Sequence, residues 1–153
     1  MKNETIDKLK SKIGNIIVLS PYSEDIFHSI NTAEWVLKLN PDTDIALEIA
    51  AFGHDIERGV EDRRVIATHY ETFNEFKQAH ALNSAQILVE VMEECCVDQV
   101  IIDDVAHLVA NHEVGGDKRE ELLKDADVLS FSYLLRFIVG VGFSLIIPSG
   151  LYI

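Results

Sequence analysis

The chain has 153 residues, 48% hydrophobic and 25% charged, a composition that predicts one globular domain with a sizeable core and excludes an intrinsically disordered chain. Its formal net charge of −13 repels a phosphate backbone, so a nucleic-acid partner is not expected. Cys95 and Cys96 are adjacent, which suits free thiols, and the polar stretch "MKNETIDKLK" has no secretory character, so we expect a cytoplasmic protein.

The first two predicted helices each begin at a recognisable capping residue. One follows "SPYSEDIFHSINTAEWVLKL" (20–39), with Ser20 as its N-cap and Pro21 in the first helical position. The next starts shortly afterwards with Asp42 or Thr43 as its cap. Both segments repeat apolar residues at helical spacing, which is the basis for predicting helices here.

The rest of the chain also has the pattern of a helical protein. Residues 57–73 are polar and interrupted, which predicts a loop with a short turn, and further helices are predicted at about 74–94, 98–112 and 118–135. The stretch "VGG" at 114–116 ends the second of these three helices. No segment alternates apolar and polar residues in the manner of a strand. The predicted fold is therefore an all-α bundle of about five to seven helices.

The distribution of charge divides the chain into two parts. No charged residue lies beyond Arg136, so residues 1–136 are expected to form the helical domain and 137–153 an uncharged apolar C-terminal segment. A buried segment and a truncated or altered chain end both fit "FIVGVGFSLIIPSGLYI". Its three glycines, its proline and the lack of a far-side anchor argue against a membrane span, and no membrane partner is expected.

Several residues of the types that bind metals fall on apolar faces of the predicted helices. They are His54, His80, His112 and Asp127, the last with apolar residues four positions to either side, and Asp55 directly follows His54. A single inward histidine is most often hydrogen-bonded to a carbonyl, but a buried carboxylate is costly without a partner or a cation. Because several such residues occur together, they predict a shared metal site.

The order of these residues resembles a known family. His28, the pair His54-Asp55 and a distant Asp127 resemble the H…HD…D motif of the HD domain superfamily of metal-dependent phosphohydrolases. The resemblance implies a helical bundle in which these four residues bind one divalent cation. Asp125 competes with Asp127 as the fourth ligand. We favour Asp127 because the family's aspartate follows an alanine, and because an acidic residue one turn earlier gives Asp125 a more polar neighbourhood.

Two further histidines extend the resemblance. His80 and His112 look like the additional histidines of family members that hold a second metal or bind the substrate phosphate. The triplet "NHE" at 111–113 resembles the "HHE" of the HD-GYP branch, but Asn111 replaces its first histidine and no GYP follows. These departures weigh against the cyclic-dinucleotide activity of that branch and against a second metal.

The mixed nitrogen and oxygen ligands suit Mn, Fe, Co, Ni, Zn or Mg. One ion is expected, and a second is left open. The resemblance implies hydrolysis of a nucleotide or other small phosphoester by metal-activated water. Asp55 would bind the metal, Glu57 would accept a proton and Arg58 would hold the phosphate. Further cations that could contact phosphate are Arg63, Arg64, Lys118, Arg119 and Lys124.

Two other functions compete with this prediction. One is a non-catalytic or regulatory metal-binding helical protein, and the other is a di-iron HD-type oxygenase. The Glu-x-x-His pairs of bundle di-iron carboxylate proteins are not found on two inward helix faces of this sequence. The expected partner is a small phosphorylated substrate, and association into a homo-oligomer is left open.

Overall fold

The computed structural model describes residues 3–139 and the side chains of residues 4–135. Throughout this range the regular structure is helical, which confirms the predicted all-α fold with five to seven helices. The α-helices are α1 (Asn3–Ile17), α2 (Asp25–Leu39), α3 (Ile45–Gly53), α4 (Phe73–Glu94), α5 (Gln99–Asn111) and α6 (Lys118–Val139). The prediction for the apolar segment 137–153 lies almost wholly outside the described residues.

The predicted starts of α2 and α3 are wrong. Helix α2 begins at Asp25 rather than at Pro21, because the Ser20 hydroxyl donates to the Asp25 carboxylate and accepts the backbone N–H of Tyr22 in a turn. Helix α3 is capped by Asp44, whose side chain accepts the Leu47 N–H at 3.0 Å, and not by Asp42 or Thr43. Asp25, the first residue of α2, lies close to the candidate site, where it contacts Arg58.

The later elements match their predictions closely. Helix α4 begins with a capping box between Thr72 and Glu75, and α5 has Asp98 as its N-cap. The turn after α5 contains Gly115 at a positive φ of 77°, a conformation that glycine adopts without strain. The predicted loop contains three short 3₁₀ helices: Ile56–Gly59, Glu61–Arg63 and Ala67–His69.

Helix α1, for which no prediction was made, supports the loop that follows the His54-Asp55 pair. Leu9, Ile13 and Ile17 recur every four residues and are fully buried. At the end of this helix, the Ile16 carbonyl oxygen lies so close to Gly59 that a Cβ added there would be 2.1 Å from it. The loop can therefore approach α1 only because residue 59 has no side chain.

The core lies where α2 packs on α3 and α6, and where α5 packs on α3 and α4. Its largest fully buried side chains in the centre of the chain include Leu47, Ile49, Leu88 and Met92. Buried polar side chains from these helices lie among the apolar residues of this core. Among the residues described, no helix is both long enough and apolar enough to cross a bilayer.

Candidate metal centre

The structure brings together side chains from five helices. Each candidate metal ligand lies on, or directly after, a different helix from α2 to α6, apart from the adjacent pair at the end of α3. These residues are His28, His54, Asp55, His80, His112 and Asp127. All are buried except Asp127, whose side chain is 22% exposed. They form two groups of three.

The first triad consists of His28, His54 and Asp127. The Asp127 Oδ1 atom lies 2.9 Å from His28 Nε2 and 3.5 Å from His54 Nε2. The two Nε2 atoms lie 3.2 Å from each other. All three atoms are therefore close enough to bind one ion.

The other ring nitrogen of each histidine in the first triad is already occupied. His54 Nδ1 donates to the Ala51 carbonyl at 2.9 Å. The Ser130 hydroxyl donates to the His28 carbonyl at 3.0 Å and so accepts from His28 Nδ1 at 2.9 Å. In the neutral rings both Nε2 atoms then carry lone pairs that point at each other. A cation between them would remove this repulsion, so the donor set fits a metal ion.

The second triad consists of Asp55, His80 and His112. His80 Nε2 lies 2.8 Å from Asp55 Oδ1, and its Nδ1 lies 2.8 Å from Glu57 Oε1. His112 Nδ1 donates to the Val109 carbonyl at 2.7 Å, which leaves its Nε2 free to bind a cation. Here too the histidines are fixed through Nδ1, the arrangement typical of metal-binding histidines.

Asp55 connects the two triads. Its Oδ1 atom lies 3.7 Å from His54 Nε2, and its Oδ2 atom lies 3.8 Å from His28 Nε2. The rings of His54 and His112 lie 5.2 Å apart between their centroids. This position allows one carboxylate to bind ions in both triads at the same time.

The buried carboxylates shift the pKa of the histidines. Burial lowers the pKa of His54, but Asp55 and Asp127 more than offset this and raise it to about 9. Burial likewise lowers the pKa of His80, and its hydrogen bonds with Asp55 and Glu57 raise it to about 9. Burial and the nearby His54 lower the pKa of His112 to about 3. Without a metal, the site therefore holds protons on His54 and His80.

Glu57 and Arg58 are both engaged within the protein. Glu57 is buried, and its two oxygens accept from His80 Nδ1 and from the Val65 N–H at 2.8 Å each. This arrangement favours orientation of His80 over the proton-accepting role expected from the sequence. Arg58 Nη1 lies 2.8 Å from Asp55 Oδ2 and 3.2 Å from Asp25 Oδ1. Two carboxylates thus neutralise the cation that was expected to hold phosphate.

The two candidate aspartates of α6 differ in position. Asp125 is exposed, whereas Asp127 contacts both histidines of the first triad. The expectation that Asp127 shares an inward apolar stripe with its neighbours on both sides holds for Leu123, which is fully buried, but not for Phe131, which is 57% exposed. Asp127 therefore lies at the edge of the core, between a buried and an exposed residue of α6.

Two residues of the site, Asp25 and Ser130, had no predicted role. Asp25 is buried and pairs with Arg58, and Ser130 orients His28 from a position 102 residues away. Each lies three residues from a predicted ligand, His28 or Asp127, and so on the same helix face. That spacing was the signal available in the sequence.

A third group that could bind a cation lies at the surface. His107 is 61% exposed and contacts Glu120 at 2.9 Å. Asp117 and Glu120 also hydrogen-bond the backbone at the start of α6 and so cap this helix. Helix capping therefore accounts for the positions of these two carboxylates without a bound ion.

A cavity of about 510 Å³ lies beside the first triad. Its polar side includes His28, Glu57, Arg58 and Arg64. Aromatic and aliphatic residues also line it: Tyr22, Val65, Phe76, Phe131, Leu134 and Leu135. A small molecule in this cavity could reach the metal ligands with one end and contact apolar surface with the other.

The family model described as "Domain of unknown function (DUF4202)" matches residues 4–137. The matched range contains both triads, Ser130 and the residues that line the cavity. Comparisons with curated proteins and with solved structures found no match.

Proposed function

The chain belongs to the DUF4202 family, and we propose that its domain is an HD-type metal-dependent phosphohydrolase that acts on a nucleotide or another small phosphoester. The observation that carries the proposal is the convergence of four histidine Nε2 atoms and two carboxylates beside an open cavity. The order of the ligands along the chain, H…HD…D, supports an HD-type site. The apolar side of the cavity provides a surface for the organic part of a substrate.

Each residue would have a defined task in this reaction. A divalent cation bound here would polarise a phosphoryl oxygen of the substrate and lower the pKa of a bound water. His28, His54 and Asp127 hold the first ion, and Asp55 spans the distance to His80 and His112. Arg58 fixes the Asp55 carboxylate, while Glu57 fixes the His80 ring. Asp127 is the most exposed of the six ligands, at 22% of its side chain, and would be available to accept a hydrogen bond from an attacking water.

The position of Asp55 favours two ions over one. Asp55 lies 3.8 Å from His28 Nε2 and 2.8 Å from His80 Nε2, so its carboxylate would be available to an ion in either triad. One departure from the HD-GYP pattern is Asn111, which stands in place of a histidine. Asn111 is partly buried, donates a hydrogen bond to the His107 carbonyl at 2.9 Å and lies outside both triads. The replacement of histidine by Asn111 therefore leaves the second triad intact.

The proposal is tested by phosphate release from nucleoside monophosphates and 4-nitrophenyl phosphate with each of the six candidate metals. We expect hydrolysis by the wild-type protein and at least a hundredfold loss in Asp127→Ala, since removal of a ligand empties the first site. The matched control, Asp125→Ala, removes an exposed aspartate of the same helix and should retain activity. Hydrolysis that is equal in the two variants would contradict the ligand assignment.

A di-iron HD-type oxygenase is the second candidate, and the bridging position of Asp55 between four histidines favours it as well. Its signature would be two irons per chain and oxygen uptake with an organic substrate, without phosphate release. A non-catalytic metal-binding protein would bind the ions and show neither reaction. Metal identity, phosphate release and oxygen uptake therefore separate the three functions.

A further inference from the structure

Arg64 differs from the other cations expected near the phosphate. Three of them form ion pairs with carboxylates elsewhere on the protein: Arg63, Arg119 and Lys124. Arg58 is paired with Asp25 and Asp55. Lys118 is exposed and is not among the residues that line the cavity. Arg64 does line the cavity, and in the described part of the chain its guanidinium has no carboxylate partner.

The Arg64 side chain is held in place by its inner nitrogen. Its Nε atom donates to the Arg58 carbonyl at 3.0 Å, and the residue is partly buried. The two terminal nitrogens of the guanidinium make no hydrogen bond to any described residue. A guanidinium fixed at Nε with free terminal N–H groups presents a fork that matches two oxygens of a phosphate.

The charges around the cavity make Arg64 decisive for an anionic ligand. Three carboxylates line the cavity, and two of them are satisfied: Asp25 by Arg58, and Glu57 by His80 and the Val65 N–H. The third, Glu24, accepts a 3.4 Å hydrogen bond from Ser23 and has no cationic partner among the described residues. Without Arg64, this wall would repel a phosphate in a chain that is already strongly acidic.

We propose that Arg64 binds the phosphoryl oxygens of the substrate and makes the enzyme selective for phosphomonoesters, which are dianions, over phosphodiesters. The inference rests on the proposed phosphohydrolase function. A monoester presents more unsubstituted oxygens and one more negative charge than a diester, so it gains more from an unpaired guanidinium. The apolar residues of the cavity would contact the leaving group.

The test compares Arg64→Ala with wild type in the metal-loaded full chain, on 4-nitrophenyl phosphate and bis(4-nitrophenyl) phosphate. We expect kcat/KM for the monoester to fall about ten- to a hundredfold, the size of one charge-assisted hydrogen-bond pair, and kcat/KM for the diester to fall less. Arg64→Lys should recover part of the monoester activity because it keeps the charge. Equal losses on both esters, or no loss, would overturn the proposal.

The control variant is Arg63→Ala, which removes the neighbouring arginine of the same loop. Its side chain pairs with Glu90 outside the cavity, and the Arg63 carbonyl can keep its hydrogen bond from Asn83. This variant should retain the monoester preference. Thermal melts of all variants show whether a loss of activity reflects unfolding.

Binding of inorganic phosphate separates failure of this inference from failure of the proposed function. If neither ester is hydrolysed with any metal, the proposed function fails, and Arg64 is still tested by calorimetric titration of metal-loaded protein with phosphate. We expect binding about tenfold weaker in Arg64→Ala than in wild type and in Arg63→Ala. Equal phosphate binding by all three proteins, or no binding by any, would overturn the role of Arg64.

Discussion

His80 illustrates how a single side chain in this site depends on its neighbours. Glu57 and Asp55 contact opposite nitrogens of its ring, so the ring has one orientation and its Nε2 atom is directed at the Asp55 carboxylate. A buried carboxylate that fixes a metal-binding histidine raises the affinity of the site for its metal. Glu57 also accepts a hydrogen bond from the Val65 N–H. Its side chain therefore connects the loop to His80 on α4.

The role of Glu57 predicts a specific defect in Glu57→Gln. An amide keeps the size of the side chain but loses the charge that orients His80, so affinity for the ion in the second triad should fall about ten- to a hundredfold. Competition with a fluorescent chelator would measure this affinity. Glu61→Gln, an exposed acid of the same loop, is the control and should bind metal as wild type does. Unchanged metal affinity in Glu57→Gln would contradict the orienting role.

The raised pKa values of His54 and His80 predict how the stability of metal-free protein depends on pH. Both pKa values move from 6.5 to about 9, so the folded state binds these protons more tightly than the unfolded chain. This contribution is fully present below pH 6.5 and is lost as the pH rises through 9. His112, with its pKa lowered to about 3, is neutral in the folded state over this window and acts in the opposite direction only near pH 6.5, where the unfolded chain still protonates this histidine.

We therefore expect the Tm of chelator-treated protein to fall between pH 6.5 and pH 9. The metal-loaded protein should show a smaller fall, because the cation displaces the protons from both Nε2 atoms. Thermal melts at a series of pH values, with and without metal, measure the difference. A Tm of metal-free protein that rises over this range would contradict the proposed charge state of the site.

At the scale of helices and loops, the approach of the loop to α1 positions the His54-Asp55 pair. Gly59→Ala would place a Cβ 2.1 Å from the Ile16 carbonyl oxygen, so the loop must move. We expect a loss of about 1–3 kcal/mol of stability, together with weaker metal binding. Gly14→Ala is a matched control, since its Cβ would lie 3.6 Å from Phe52 and a helix-interior alanine stabilises by about 0.5–1 kcal/mol. Gly59→Ala with a wild-type Tm would contradict this account.

The elements of the fold were predictable where local signals were strong. The capping box of α4 and the glycine turn after α5 are formed by residues that are close together in the sequence, and the predicted bounds of these two helices hold to within a residue or two. The start of α2 was predicted wrongly because Ser20 binds the Asp25 side chain, a choice that depends on the tertiary position of Asp25. The contact of Gly59 with α1 joins residues far apart in the chain, and no local pattern indicates it.

For the whole molecule, the sequence predicted which residues could bind a metal, but not which of them contact one another. Helical spacing placed His54, His80 and His112 inside, and the family resemblance added His28. The division into two triads, the bridging position of Asp55 and the pairing of Arg58 emerge only when five helices are packed together. Long-range contacts of this kind depend on the tertiary arrangement, which helical periodicity does not specify.

The net charge of the molecule also favours cation binding. A chain with a formal charge of −13 that buries carboxylates at its centre is destabilised by self-repulsion, which bound divalent cations reduce. Metal binding and folding should therefore be coupled in this protein. In the proposed two-ion centre both triads would contribute, because Asp55 lies near histidines of each.

We propose that six side chains form a two-ion centre with Asp55 at its middle. Elemental analysis of protein reconstituted with manganese and then desalted tests it most directly, with Asp55→Ala and Asp125→Ala alongside. We expect two ions per chain in wild type and in Asp125→Ala, and fewer than one in Asp55→Ala. An Asp55→Ala variant that retains as much metal as wild type, or a wild-type protein that retains none, would contradict it.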